Sequence, residues 1–194
     1  MLPSLLIDGA TVPVLHVSQI AEALGLPASP SGHPLQVGEE AAAILDAWFS
    51  HMPELGWDEL IAATPSRGRS LRNLTVNVFH PFELLPRTWQ TGEFDWWPED
   101  DEAREHRLVT RDDVLSFAAE RAAGWRSFLD AHGAELGYRN PPVSTPRGAI
   151  TFSALLASQR WHAAYHYRQL VDIVRVPRPL DLTPFALALP DQVY

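Results

Sequence analysis

Residues 149–175 read AITFSALLASQRWHAAYHYRQLVDIVR, and this stretch decides the fold. Apolar residues recur along it every three or four positions, which predicts one long amphipathic helix. The sequence Val-Pro-Arg-Pro at 176–179 ends the pattern, because proline cannot continue a helix. The predicted apolar face comprises Phe152, Leu155, Leu156, Ala163, Leu170 and Ile173. Such a face must be buried against other elements, so the rest of the chain is expected to supply further helices.

Three more amphipathic stretches precede this one. They predict helices near residues 39–52, 70–86 and 112–132. Ser70 and Thr110 are predicted N-caps, since their hydroxyl oxygens accept hydrogen bonds from amides of the first turn. Pro81 and Pro86 predict a kink or a break in the second helix. Four long helices joined by loops of unequal length predict an all-α fold, mainly a four-helix bundle over residues 38–176.

The segments around these helices carry fewer signals. Residues 1–37 are predicted to be an appendage and linker, in which two short apolar runs flank Asp8-Gly9 and favour a hairpin. Val17–Leu24 is predicted to form a short helix. Residues 90–109, with two adjacent tryptophans and the acidic run 99–102, are expected to form a long surface loop.

Two further segments are rich in proline. NPPVSTPRG at 140–148 is predicted to be a linker, and the tail 177–194 is predicted to be irregular.

Composition excludes several classes of function. The chain of 194 residues has no cysteine, so disulfides, thiolate metal sites and a cysteine nucleophile are ruled out. All fifteen basic residues are arginine, which excludes a Schiff-base lysine. The net charge of −9 argues against nucleic-acid binding, which needs a basic face. No apolar run is long enough for a membrane span and no signal peptide is recognised, so a cytoplasmic location is expected.

The informative polar residues lie on the apolar face of the last predicted helix. His162 and His166 are four residues apart and therefore share that face. Gln159 falls in the same sector and Gln169 at its margin. Buried polar groups are costly unless they are paired. Either a divalent metal such as Zn or Ni binds the two imidazoles, or they are core histidines satisfied by neighbouring groups.

The same string resembles the last helix of the DinB-like superfamily, which includes bacterial thiol S-transferases. In that family a His-x-x-x-His pair followed by Gln-Leu supplies two metal ligands, and it matches His162, His166, Gln169 and Leu170. The resemblance covers roughly residues 38–176. It implies a metal that activates a low-molecular-weight thiol at one end of the bundle.

The third family ligand is a histidine on the second helix, about seven residues after the cap. Counting from Ser70 reaches Asn77 instead, and the nearest histidine is His80. On a straight helix His80 points away from the apolar face unless Pro81 bends the backbone. His51 is a weaker alternative ligand, and Glu83 is able to join such a site. Either His80 has replaced the missing ligand or the site is metal-free.

Three hypotheses follow. The first is a metal-dependent transferase or related isomerase, with His80, His162 and His166 as ligands and Asn77, Gln159 and Gln169 lining the site. The second is a metal-free enzyme in which His162 or His166 acts as general base. The third is a non-catalytic binding module. A small molecule, including a low-molecular-weight thiol, is the expected partner, and a homodimer is left open.

Overall fold

The computed structural model describes residues 4–7, 10–13, 33–64 and 68–185. These residues form a mainly α-helical fold, as predicted. The described helices are α1 (Pro34–His51), α2 (Trp57–Ile61), α3 (Leu71–Thr91), α4 (Pro98–Glu105), α5 (Arg111–Leu136) and α6 (Phe152–Val174). Short 3-10 turns span Met52–Glu54 and Thr183–Phe185. No helix in these ranges is both long enough and apolar enough to cross a membrane.

Four antiparallel strands complete the described elements. Strands β1 (Ser4–Ile7) and β2 (Ala10–Pro13) pair with Leu5 opposite Val12, so the predicted N-terminal hairpin is present. Strands β3 (Pro142–Thr145) and β4 (Gly148–Thr151) form a second hairpin, where a linker was predicted. The prediction of a linker was wrong because Val143 is buried and anchors β3 in the core. The helix predicted at Val17–Leu24 lies outside the described residues.

The four long helices α1, α3, α5 and α6 pack side by side, each against two of the others. The predicted caps Ser70 and Thr110 are confirmed, since each side chain accepts a hydrogen bond from an amide three residues later. Trp125 Nε1 donates to the carbonyl oxygen of Gly38 at 3.1 Å, where α1 and α5 approach closely. A Cβ atom at Gly38 would lie 2.7 Å from a methyl group of Leu129, so a larger residue there would push these helices apart.

Helix α3 is not broken at its prolines, which corrects the prediction of a break. It runs through Pro81 and Pro86 and ends at Gly92, which adopts φ 73° and donates its N–H to the carbonyl oxygen of Thr88. The segment from Thr75 to Phe82 is buried all round. Around Pro81, tertiary packing on every side therefore outweighs the hydrogen bond that this proline removes.

Residues 90–109 do not form a long loop, which corrects a second prediction. Thr91 still belongs to α3, and Pro98–Glu105 is helix α4, lying against α3. Arg72 Nε and Asn73 Nδ2 donate to the Glu105 carboxylate at 3.1 and 2.6 Å. Glu83 accepts from Arg104 at 3.3 Å. Helix α4 docks through these polar contacts and so lacks the apolar periodicity by which helices are recognised.

Candidate functional site

Helices α3 and α6 run antiparallel and bring the predicted site residues together. Near the end of α3 and the start of α6, the rings of Trp89 and Phe152 lie 4.9 Å apart. Further along, His162 Nε2 lies 3.0 Å from Asn77 Oδ1. Asn77 therefore meets the histidine pair on α6. Helix α4 packs against α3, and His80 faces α4.

The centre of the polar cluster is Asp101, a buried carboxylate on α4. Its Oδ1 atom accepts from His80 Nδ1 at 2.7 Å and from Trp96 Nε1 at 3.2 Å. Its Oδ2 atom accepts from Asn77 Nδ2 at 2.8 Å. Three donors from two different segments thus converge on one carboxylate. Such satisfaction is what a buried charge requires.

This arrangement fixes the protons on two histidines. A carboxylate accepts only, so His80 carries its proton on Nδ1. Asn77 uses its NH2 group toward Asp101 and therefore presents its carbonyl oxygen to His162. The Nε2 atom of His162 must then be the donor. In the neutral rings, lone pairs remain on His80 Nε2 and on His162 Nδ1.

Both of these nitrogens are buried and have no hydrogen-bond partner within the described residues. The Gln159 carbonyl oxygen, one turn before His162 on α6, is in the same condition. A buried polar atom without a partner costs roughly 1–3 kcal/mol. These three atoms, one on α3 and two on α6, are buried acceptors available to a ligand or to water.

His162 is held in its neutral form. Burial lowers the pKa of the His162 imidazole well below 6.5, with further contributions from the neighbouring charges of His166 and Arg69. The rings of His162 and His166 are 4.6 Å apart and nearly perpendicular. The Trp96 ring lies 5.5 Å from His162 on another side. Low-dielectric surroundings and nearby cations both disfavour a charged ring.

His166 and Gln169 form the outer part of the cluster. His166 is buried, and its Nδ1 atom donates to Gln169 Oε1 at 2.8 Å. Sequence reasoning placed His162, His166 and Gln159 on the interior face of α6, and the structure places them there. Arg160, on the same helix, is buried in an ion pair with Glu40 and so faces α1.

His80 is buried for a different reason from the one that was predicted. It was expected to point outward unless Pro81 rotated the helix. The structure instead covers that side of α3 with α4, so His80 is 2% exposed and meets Asp101. The alternative candidates lie elsewhere: His51 is 3.4 Å from the hydroxyl of Tyr167. Glu83 binds Arg104 and Arg121 at the surface.

Asp101 is the site residue that sequence reasoning missed, because the acidic run 99–102 was read as part of a loop. One signal was present. Pro98 at the first helical position, followed by acidic residues in the first turn, is typical of a helix start. A helix there would have placed Asp101, Arg104 and Glu105 on one face.

The predicted metal ligands do not form a three-ligand site in this arrangement. Within residues 33–64 and 68–185, no group of three or more His, Asp or Glu side chains is placed to hold a metal ion. The Nε2 atom of His162 is protonated toward Asn77, and Asp101 is occupied by three donors. A catalytic zinc ion requires three protein ligands. The side chains therefore fit a hydrogen-bonded cluster better than a metal site.

No family model, curated protein or solved structure matches this chain.

Proposed function

We propose that this chain is a small-molecule enzyme in which His80, oriented by Asp101, acts as a general base. The observation that carries the proposal is the unpartnered Nε2 atom of His80, whose ring is fixed by a 2.7 Å hydrogen bond from Nδ1 to a buried carboxylate. A carboxylate behind an imidazole sets its tautomer and stabilises the imidazolium that forms when Nε2 takes a proton. This is the chemistry of general base catalysis.

The substrate class follows from the resemblance of the last helix to DinB-like thiol S-transferases. In this proposal a low-molecular-weight thiol gives its proton to His80 Nε2, and the resulting thiolate attacks an electrophilic carbon. In a substitution, the leaving group departs with the electron pair of the broken bond. In an addition, the proton on His80 is returned to the product. A free thiol has a pKa of about 8.5, so a base that accepts its proton increases the reactive fraction.

The other cluster residues then have assigned roles. Asn77 holds His162 in one tautomer, so that His162 Nδ1 and Gln159 Oε1 act as acceptors for the bound thiol co-substrate. Trp96 donates to Asp101 and covers His162, which keeps bulk water from the carboxylate. A positioned base contributes about 10²- to 10⁴-fold in rate.

The test measures conjugation of a model electrophile, 1-chloro-2,4-dinitrobenzene, with cysteine, glutathione or coenzyme A. The variant His80→Gln removes the basic nitrogen, whereas His106→Gln changes an exposed histidine at the end of α4. The proposal predicts acceleration by the wild type and by the His106 variant, and loss of about 10² or more in the His80 variant. Equal rates for wild type and His80→Gln, or no acceleration with any of the thiols, would overturn it.

Metal content separates this proposal from the metal-dependent alternative. Untagged protein is dialysed against a chelator and then against Zn or Ni, and bound metal is measured together with the rate. General base catalysis by His80 predicts a chelator-resistant rate. Stoichiometric metal with a rate that depends on it would overturn the proposal in favour of the metal-dependent transferase.

A further inference from the structure

A cleft of about 280 Å³ lies where the end of α4 and the turn that follows it meet the first turns of α5. Its volume is close to the lower limit of about 300 Å³ for small-molecule sites. Leu108 and Phe117 are the apolar residues of its lining, which also includes three arginines, Arg104, Arg107 and Arg121. None of the lining residues belongs to the polar cluster around Asp101, so the cleft is separate from the proposed active site.

The two carboxylates that line the cleft are already engaged by donors of the protein. Asp113 accepts from the backbone amides of Val109 and Thr110 at 3.0 and 2.8 Å, as part of the N-cap of α5. Glu120 accepts from Arg121 Nη1 at 2.7 Å. The acceptors of the cleft are therefore occupied by groups of the chain itself.

The three arginines differ in how far they are compensated. Arg104 and Arg121 both donate to Glu83, at 3.3 and 3.2 Å. Arg121 is held further by the Phe117 ring, whose centroid lies 4.1 Å from its Cζ atom. Arg107 is exposed, and its guanidinium makes no ion pair or hydrogen bond within the described part of the chain. It is thus a cation of the cleft that is left for a ligand.

The hydroxyl of Ser116 is a second group of this kind. Ser116 lies on the exposed side of α5 and lines the same cleft, and no partner for its hydroxyl occurs in residues 33–64 or 68–185. The uncommitted groups of the cleft are therefore a guanidinium and a hydroxyl, both able to donate. Three arginines and two carboxylates also give the lining one net positive charge, in a chain whose net charge is −9. Free donors with a local excess of positive charge favour an anion.

We propose that this cleft binds a small organic carboxylate. A planar guanidinium such as that of Arg107 binds a carboxylate through two parallel hydrogen bonds, which gives both affinity and orientation. Ser116 supplies a further donor, and Leu108 and Phe117 contact the apolar body of the ligand. The apolar part of the lining distinguishes this ligand from a bare inorganic anion. The inference goes beyond the proposed function and does not depend on it.

The test is a binding measurement that needs no turnover. Sodium benzoate is titrated into 15N-labelled protein at low ionic strength, and the backbone amide signals of Arg107 and Ser116 are followed. Benzamide is the matched ligand without a charge, and sodium chloride controls for ionic strength. The proposal predicts saturable shifts with benzoate only, and a dissociation constant on the order of 1 mM because the site is open to water. Added salt should weaken the binding, since exposed charges are screened.

Three variants assign the binding to the cleft. Arg107→Gln should weaken benzoate binding about fivefold, whereas Arg87→Gln, which removes an exposed arginine from α3, should leave it unchanged. Glu120→Gln should tighten it about twofold, because Arg121 loses one of its two carboxylate partners. Equal affinities in wild type and Arg107→Gln, equal shifts with benzamide, or no saturable shift in the wild type would overturn the assignment. Weaker binding in Glu120→Gln would also contradict it.

Discussion

The Nδ1 atom of His80 lies 2.7 Å from Oδ1 of Asp101, and the two side chains are only 2% and 4% exposed. His80 lies in the middle of α3. Asp101, 21 residues further along the chain, lies in the short helix α4. This pair both joins α4 to α3 and contains the proposed general base. The same carboxylate that holds α4 on α3 also sets the tautomer of the proposed base.

Replacing the carboxylate tests its structural role. Asp101→Asn should lower the free energy of unfolding by about 3 kcal/mol, because an uncharged amide replaces the acceptor for His80, Asn77 and Trp96 in a buried site. The matched control is Asp100→Asn, which makes the same change at an exposed position of α4 and should cost less than about 0.5 kcal/mol. Urea denaturation measures both. Equal stabilities for the two variants would contradict the central place given to Asp101.

The depressed pKa of His162 predicts a pH dependence of stability. The unfolded chain takes up a proton on this residue near pH 6.5, whereas the folded protein does so only at a lower pH. Between these two values the unfolded state binds more protons, so the free energy of unfolding falls as the pH is lowered. The contribution is fully present above about pH 6.5 and is lost progressively below it.

Urea denaturation between pH 7.5 and 5 measures this effect. The variant His162→Gln should show a shallower dependence on pH, whereas His106→Gln, at an exposed position, should keep the slope of the wild type. The groups that face His162 are His166, Arg69, Asn77 and Trp96, of which only the first two carry charge when protonated. A slope unchanged by His162→Gln would contradict the assignment.

A second buried ion pair lies between α1 and α6. Arg160 pairs with Glu40, and Glu40 also accepts from Gln36 at 2.9 Å. Glu40→Gln should destabilise the protein by about 3 kcal/mol, since it leaves the Arg160 charge buried without its partner. The exposed pair of Asp46 and Arg126 is the control, and Asp46→Asn should cost less than about 1 kcal/mol. If Glu40→Gln and Asp46→Asn lowered the free energy of unfolding by similar amounts, burial of the Glu40–Arg160 pair would have no energetic consequence.

The parts of the fold that could be predicted from the sequence are those marked by a periodic apolar pattern or by a local hydrogen bond. The four long helices and the caps Ser70 and Thr110 are of this kind, because each depends on residues within a few positions along the chain. The interior placement of His162 and His166 was also predicted, since it follows from helical spacing alone. These features were predictable because local geometry determines them.

Other parts were set by contacts between distant residues. Helix α4 is held by polar contacts to α3, so it has no apolar stripe to reveal it. His80 faces inward because α4 covers it, which the local pattern around Pro81 did not indicate. Arg160 is buried because Glu40, 120 residues away in sequence, supplies its partner. In each case the surroundings of the residue are supplied by another helix, and the local sequence does not determine where that helix packs.

The most direct test of the account is the protonation of His80 and His162, observed by 15N NMR of histidine-labelled protein at pH 8, with Asp101→Asn for comparison. The hydrogen-bonded cluster predicts His80 protonated on Nδ1 with a bare Nε2, and His162 protonated on Nε2 with a bare Nδ1. In Asp101→Asn the His80 ring should lose its single tautomer. A wild-type His80 that carries its proton on Nε2 at this pH would contradict the proposed role of His80, because the lone pair would then lie on Nδ1, against Asp101, and Nε2 would have none with which to accept a proton.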